Sequence, residues 1–324
     1  MNATSATFER ILLPTDFSGF SFQALRHALA LARRFKTRLR VVHVIQDVYS
    51  RGDAKPAFPR PDAADARKMA ERETHAFMAA AREAGIDYEV QIREGNPWRE
   101  IQAAAEEMPA DLVVMGTHGR SGAERFLLGS VVEKLIHRLP CPIMTVSREG
   151  GQAFDTPGLV GRILCATDFS ENAARAVRFS LALASSLGAK VTLLHAIEHM
   201  PDLGEARYRM VVPDVAPLMQ EIERAASERL SKLVDAFKSE FGDVDITARL
   251  GAGRAYQEIV RTAQDERADL IVVGAQGHGI LEHLLSGSNA QQVIRRASCA
   301  VLTVRPPRAS VSAASSPVPI RKAG

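Results

Sequence analysis

The second half of this chain repeats the first, so whatever it folds into is built twice. Gly253 falls on Gly95 at an offset of 158, and that register holds through Asp269 over Asp111 to Cys299 over Cys141. An offset of 152 aligns the earlier parts, laying Leu164-Cys165-Ala166-Thr167-Asp168-Phe169-Ser170 on Leu12-Leu13-Pro14-Thr15-Asp16-Phe17-Ser18 and His195 on His43. Each copy alternates short apolar runs with longer amphipathic ones. In the first copy this predicts strands near Arg10 to Pro14, Leu39 to Val44, Tyr88 to Arg93, Leu112 to Met115 and Ile143 to Val146. Helical periodicity fills the gaps, over Phe22 to Phe35, Ala63 to Ala84, Pro97 to Glu107 and Ser130 to Leu139. The second copy repeats the order, with a longer second helix near Val215 to Phe241. Parallel strands need long crossovers, and helices on those crossovers cover both faces of the sheet. Each copy is therefore expected to be an α/β, Rossmann-like unit with a five-stranded parallel sheet of order 3-2-1-4-5.

A length of 324 residues suits two such units, each large enough for its own core. The expected division is a first domain over 1–148, a polar and Gly-rich linker over 149–160 and a second domain over 161–306. The Pro, Ser and Ala segment 307–324 has no apolar periodicity and reads as a disordered tail. The balance of 41 basic against 38 acidic residues leaves a formal charge of +3, and aromatics are 6%, which argues against a nucleic-acid partner. Cys141, Cys165 and Cys299 form no CxxC pair and sit in or beside apolar runs, as buried thiols of a reducing compartment would. No signal-peptide core and no membrane-length apolar run is present. The expectation is a soluble, cytoplasmic protein without a membrane partner.

The motif that carries chemistry is also duplicated. Gly116, Gly119, Gly129 and Ser130 spell G-x2-G-x9-G-S, and Gly274, Gly277, Gly287 and Ser288 repeat it. Each follows the fourth apolar run and leads into a helical segment. Glycines there allow close approach and positive φ, while free N–H groups and the helix dipole near the serine favour an anion, phosphate above all. In a sheet of order 3-2-1-4-5 the crevice lies between the carboxyl ends of strands one and four. That brings Asp16 beside Gly116 and Asp168 beside Gly274. A carboxylate repels phosphate, so Asp16 is expected to accept hydrogen bonds from ribose hydroxyls or a base, and the ligand reads as a nucleotide; Ser18 suits the role of helix cap better than Asp16 does. No G-K-(S/T) lysine and no GxGxxG after strand one is present, which removes the support for kinase and dehydrogenase readings. His43 and His195 read as core histidines bonded to backbone, and His118 sits inside the loop opposite Gln276 of the other copy. No nucleophile, base and orienter constellation emerges, which favours binding over turnover.

These residues resemble the universal stress protein A family over both halves almost end to end. Its ATP-binding members carry G-x2-G-x9-G-(S/T) after strand four and an aspartate after strand one, matched here twice. The resemblance implies HUP-type (adenine nucleotide alpha hydrolase-like) domains and ATP, with or without Mg2+, as the cofactor. It implies that backbone at Val44 and Ala196 meets adenine, that Asp16 and Asp168 lie at the ribose, and that Pro14, Thr15, Ala166 and Thr167 also belong to the cofactor-binding set. Gly116, Gly119, Arg120, Gly129, Ser130 and Val131 would then hold phosphates in one copy, and Gly274, Gly277, Gly287, Ser288 and Asn289 in the other, with Met115 and Val273 beside them in the cofactor-binding set. Arg120 and Arg125 align with His278 and His283, so the two sites are expected to be unequal. The family commonly dimerises through its last strand, which implies an intramolecular pseudo-dimer joined by Ile143 to Val146 and Val301 to Val304, or a homodimer. The function so implied is nucleotide-dependent conformation or partner binding in stress response; a slow ATPase, or an interaction protein with vestigial loops, are the alternatives.

Overall fold

The computed structural model describes residues 6–46, 62–119, 128–147, 160–198, 216–275 and 289–305. In the first half the strands are β1 (Arg10–Thr15), β2 (Arg38–Ile45), β3 (Tyr88–Glu94), β4 (Leu112–Gly116) and β5 (Ile143–Val146). Its helices are α1 (Gly19–Phe35), α2 (Ala63–Phe77), α3 (Ala79–Glu83), α4 (Pro97–Glu107) and α5 (Ser130–Ile136). The second half has β6 (Arg162–Ala166), α6 (Glu171–Leu187), β7 (Lys190–Ile197), α7 (Ala216–Glu240) and β8 (Ile246–Ala252). It continues with α8 (Ala255–Asp265), β9 (Leu270–Gly274), α9 (Asn289–Arg296) and β10 (Ala300–Val304).

All ten strands form one sheet in the order β3-β2-β1-β4-β5-β10-β9-β6-β7-β8. Each half is parallel with the expected 3-2-1-4-5 order, and the halves join where β5 and β10 pair antiparallel, Leu302 opposite Met144. The two edge strands thus satisfy one another. Alternate residues of the central strands point to opposite faces, so one apolar run feeds two cores. Ile11, Leu13, Leu112 and Val114 meet α1, α2, α6 and α7 on one face, while Leu12, Val113, Met115 and Ile143 meet α4, α5, α8 and α9 on the other. Both cores run unbroken from one half into the other.

The helix over Ala63 to Ala84 is not continuous. It breaks at Met78, which has φ −87° and ψ 12° and is fully buried, so the apolar period passes across a turn that the sequence does not announce. Other boundaries shift by a few residues: α1 starts at Gly19, and α5 ends at Ile136 rather than Leu139. Asp111 and Asp269 repeat one structural role. Asp111 Oδ2 accepts from Glu9 N and Arg10 N, and Asp269 Oδ2 from Gly161 N and Arg162 N, tying the start of β4 or β9 to the start of β1 or β6.

Candidate functional site

The turn after β1 is held by its own side chains. Thr15 Oγ1 accepts from Phe17 N at 3.0 Å, and Asp16 Oδ1 accepts from Ser18 N at 3.1 Å and from Ser21 Oγ at 2.6 Å. These two consecutive side-chain turns fix Phe17 at φ 62°, a left-handed conformation that costs a non-glycine residue about 1–3 kcal/mol. Part of that cost is offset by stacking of Phe17 on His43, ring centroids 4.5 Å apart, and His43 Nδ1 donates to Thr15 O at 2.9 Å. The second half ties the same knot: Phe169 at φ 62°, 4.3 Å from His195, whose Nδ1 donates to Thr167 O at 2.8 Å. Helix capping falls to Ser18 and Ser170, which accept from Ser21 N and Ala173 N. His43 and His195 have the backbone bonds expected of core histidines, yet both rings also line the clefts below.

The glycines of the β4 loop act through space, not through positive φ. Gly116, Gly119, Gly129 and Gly274 all lie outside the left-handed region, which corrects one half of the sequence argument. A Cβ on Gly116 would lie 2.6 Å from Phe20 Cβ and 2.9 Å from the Phe20 carbonyl carbon, so this glycine lets β4 meet the first turn of α1. On Gly119 it would lie 2.6 Å from Asp16 Oδ2, and on Gly129 2.9 Å from Thr117 O, which accepts from Gly129 N at 3.0 Å. Close approach is thus first to the protein's own α1, β1 turn and β4 end. Gly129 is the N-cap residue of α5 and Ser130 its first helical residue; no side chain caps the helix. Arg120, Gly277, Gly287 and Ser288, like Arg125, His278 and His283, lie outside the described residues.

These elements enclose a cleft of about 640 Å³ at the carboxyl ends of β1, β2 and β4. Pro14, Thr15, Asp16, Val44, Met115, Gly116, Gly119, Gly129, Ser130 and Val131 all line it, so the structure brings together residues a hundred positions apart. Ser21, Gln46, Pro97, Ile101 and His118 line it as well. Of these His118 is the informative addition. Its Nδ1 pairs with Thr117 Oγ1 at 3.0 Å, while its Nε2 is buried without a hydrogen-bond partner among the described residues. The sequence signal for it was its place inside the loop.

In the second half Ala166, Thr167, Asp168, Ala196, Val273, Gly274 and Asn289 line a cleft of about 120 Å³, together with His195 and Ala255. Here Glu198 replaces Gln46, and its Oε1 accepts from Ala255 N at 3.2 Å. Pro97, the counterpart of Ala255, has no N–H to offer. No group of three or more His, Cys, Asp or Glu side chains is placed to hold a metal ion among the described residues. Burial pushes the Cys141, Cys165 and Cys299 thiols up to about 12, so all three are protonated at neutral pH and shielded from reaction.

Two Rossmann-like domains in tandem, each opening a crevice at the carboxyl ends of its first and fourth strands, define the structural class. The comparisons make it specific. The pattern of the universal stress protein family matches residues 7–147 and again 160–305, and the chain belongs to that family. A universal stress protein of Mycolicibacterium smegmatis is 26% identical over 312 residues, spanning 93% of this chain and 99% of its own length. One from Methanocaldococcus jannaschii is 32% identical over 148 residues, covering 44% of this chain and 83% of its own. The crystal structure of a universal stress protein from Archaeoglobus fulgidus superposes with a TM-score of 0.63 at 23% identity, over 91% of this chain and 98% of that one. No helix among the described residues is long and apolar enough to cross a membrane.

Proposed function

We propose that this tandem universal stress protein binds an adenine nucleotide, ATP or a close relative, in the cleft of its first half, and that the bound nucleotide sets its conformation or its affinity for a partner. The observation that carries the reading is the convergence of Asp16, Val44, Gly116, Gly119, Gly129 and Ser130 on one cleft. Its volume falls within the roughly 300–1,000 Å³ of small-ligand sites. The donor set suits such a ligand. The β2 backbone at Val44 offers an edge for a base, Asp16 Oδ2 faces the loop, and the buried His118 Nε2 is a polar atom that a ligand oxygen would satisfy. The second cleft has a carboxylate, Glu198, bonded to its lining residue Ala255 where the first half has Gln46, so its affinity for an anionic nucleotide is expected to be lower.

The test is calorimetric titration of the full chain with ATP. Gly129→Val forces a side chain against Thr117 O and should abolish binding at the first site while circular dichroism stays unchanged. Unaltered affinity in that folded variant would reject the loop assignment.

A further inference from the structure

The sheet face that carries α4, α5, α9 and α8 has a charge pattern that the nucleotide reading does not use. Trp98, the only tryptophan of the chain, lies half-buried at the start of α4 with Arg138, Arg99 and Lys134 at 4.7, 5.2 and 5.8 Å from its ring. The duplication repeats part of the arrangement, since Tyr256 falls on Trp98 and Arg296 on Arg138, and Arg296 lies 5.0 Å from the Tyr256 ring. The two copies meet at the seam, where Gln291 of α9 lies 3.1 Å from His137 and Arg305 donates to Leu139 O. They form one face with pseudo-twofold symmetry.

Positive charge is left over on that face. Beyond Arg138, which is engaged, residues 130–138 and α9 hold Lys134, Arg295 and Arg296 against one carboxylate, Glu133. The carboxylates of the flanking helices are already engaged. Glu100 and Glu107 pair with Arg93, Glu258 with Arg261, and Asp265 with Arg249 and Arg261, while Glu106 accepts from the Gln102 amide. Arg99, Lys134, Arg295 and Arg296 have no ion pair among the described residues.

We infer that this face docks an acidic segment of a partner protein, with carboxylates of the segment meeting the cations around Trp98 and Tyr256. Other occupants fit worse. A second copy of the chain, joined symmetrically, would oppose like charges. A lipid surface would want apolar side chains among the cations, but among the described residues the exposed large apolar side chains, Phe22, Met69, Leu218 and Ile222, are on α1, α2 and α7, across the sheet. A single-stranded nucleic acid would want open aromatic faces, whereas both rings here are already covered by cations.

Trp98 supplies a local probe. The full chain would be titrated with a fluorescein-free oligoglutamate of about ten residues, following tryptophan emission, and with a labelled copy of it, following anisotropy, at low and moderate salt. The expected result is a saturable change in Trp98 emission and binding that weakens with salt. Lys134→Glu combined with Arg296→Glu should lower affinity by more than about tenfold. Lys68→Glu combined with Lys232→Glu makes the same charge change on α2 and α7 and should alter it by less than about threefold. Equal losses in the two double variants would reduce the effect to net charge and overturn the inference. So would a silent Trp98, or tighter binding of single-stranded DNA or phosphatidylserine vesicles than of the peptide.

Discussion

At the scale of single residues the glycines of one motif have separate jobs. Gly116 abuts the backbone of Phe20, which cannot yield without moving α1, whereas Gly119 abuts a carboxylate oxygen at the end of a side chain that can turn. Gly116→Ala should therefore destabilise the first domain by about 1–3 kcal/mol, through overpacking, and lower its urea midpoint. Gly119→Ala should leave that midpoint nearly unchanged and weaken ATP binding instead, because Asp16 must swing away to make room. Paired urea titrations and calorimetry check this, and a Gly116→Ala protein as stable as wild type would show that β4 and α1 are not in close contact. The spacing of the motif was legible in the sequence, and so was the need for small residues. What the small residues must avoid was not, since Phe20 is almost a hundred positions from Gly116 and only the fold brings them together.

Among the elements, the duplication supplies its own control. The helix after the first strand ends in a left-handed residue in both halves: Lys36 at φ 53° after α1, Gly188 at φ 71° after α6, each donating its N–H to a carbonyl four residues back. Left-handed backbone favours glycine, and no atom crowds the space beside Gly188, so conformation alone separates the two ends. Lys36→Gly should stabilise the protein by about 0.5–1 kcal/mol, the relief of strain being partly offset by the greater freedom of glycine in the unfolded chain. Gly188→Lys should destabilise by a similar amount, and thermal unfolding of both variants reads the difference. Strands and helices were largely legible here because apolar runs and amphipathic periods alternate without ambiguity. The break at Met78 was not, because the apolar period continues from α2 into α3 and neither glycine nor proline marks it. Nor was the tie between Glu198 and Ala255, which joins residues 57 positions apart.

On the scale of the whole molecule the seam decides whether two domains behave as one. β5 and β10 share a ladder, and the segment before β1 reaches across it: Ala6 N donates to Ala182 O at 3.2 Å, and Ser186 Oγ to Ala6 O at 2.9 Å. Phe8 packs between Phe35 of α1 and Phe179 of α6. The one titratable group at the seam with a resolved shift in the physiological range is His137. Partial desolvation, followed by the charges of Arg305 and Arg138 and against that of Glu133, holds its pKa below the ordinary histidine value. The native ring is thus kept neutral, able to accept at Nε2 from the Gln291 amide. Unfolded, the same ring takes up a proton near pH 6.5. The contribution of His137 to stability is therefore full above about pH 6.5, falls as acid protonates the unfolded chain first, and levels off below the native pKa, where both states are charged. His137→Gln removes the titration and keeps a polar partner for Gln291. Urea unfolding between about pH 7.5 and 5 should show a shallower loss of stability in the variant than in the wild type. The other eight of the chain's nine histidines contribute alike to both proteins, so the difference between the curves belongs to the seam. Parallel curves would mean that His137 titrates as it does in the unfolded chain, and that acid does not loosen the two halves by this route.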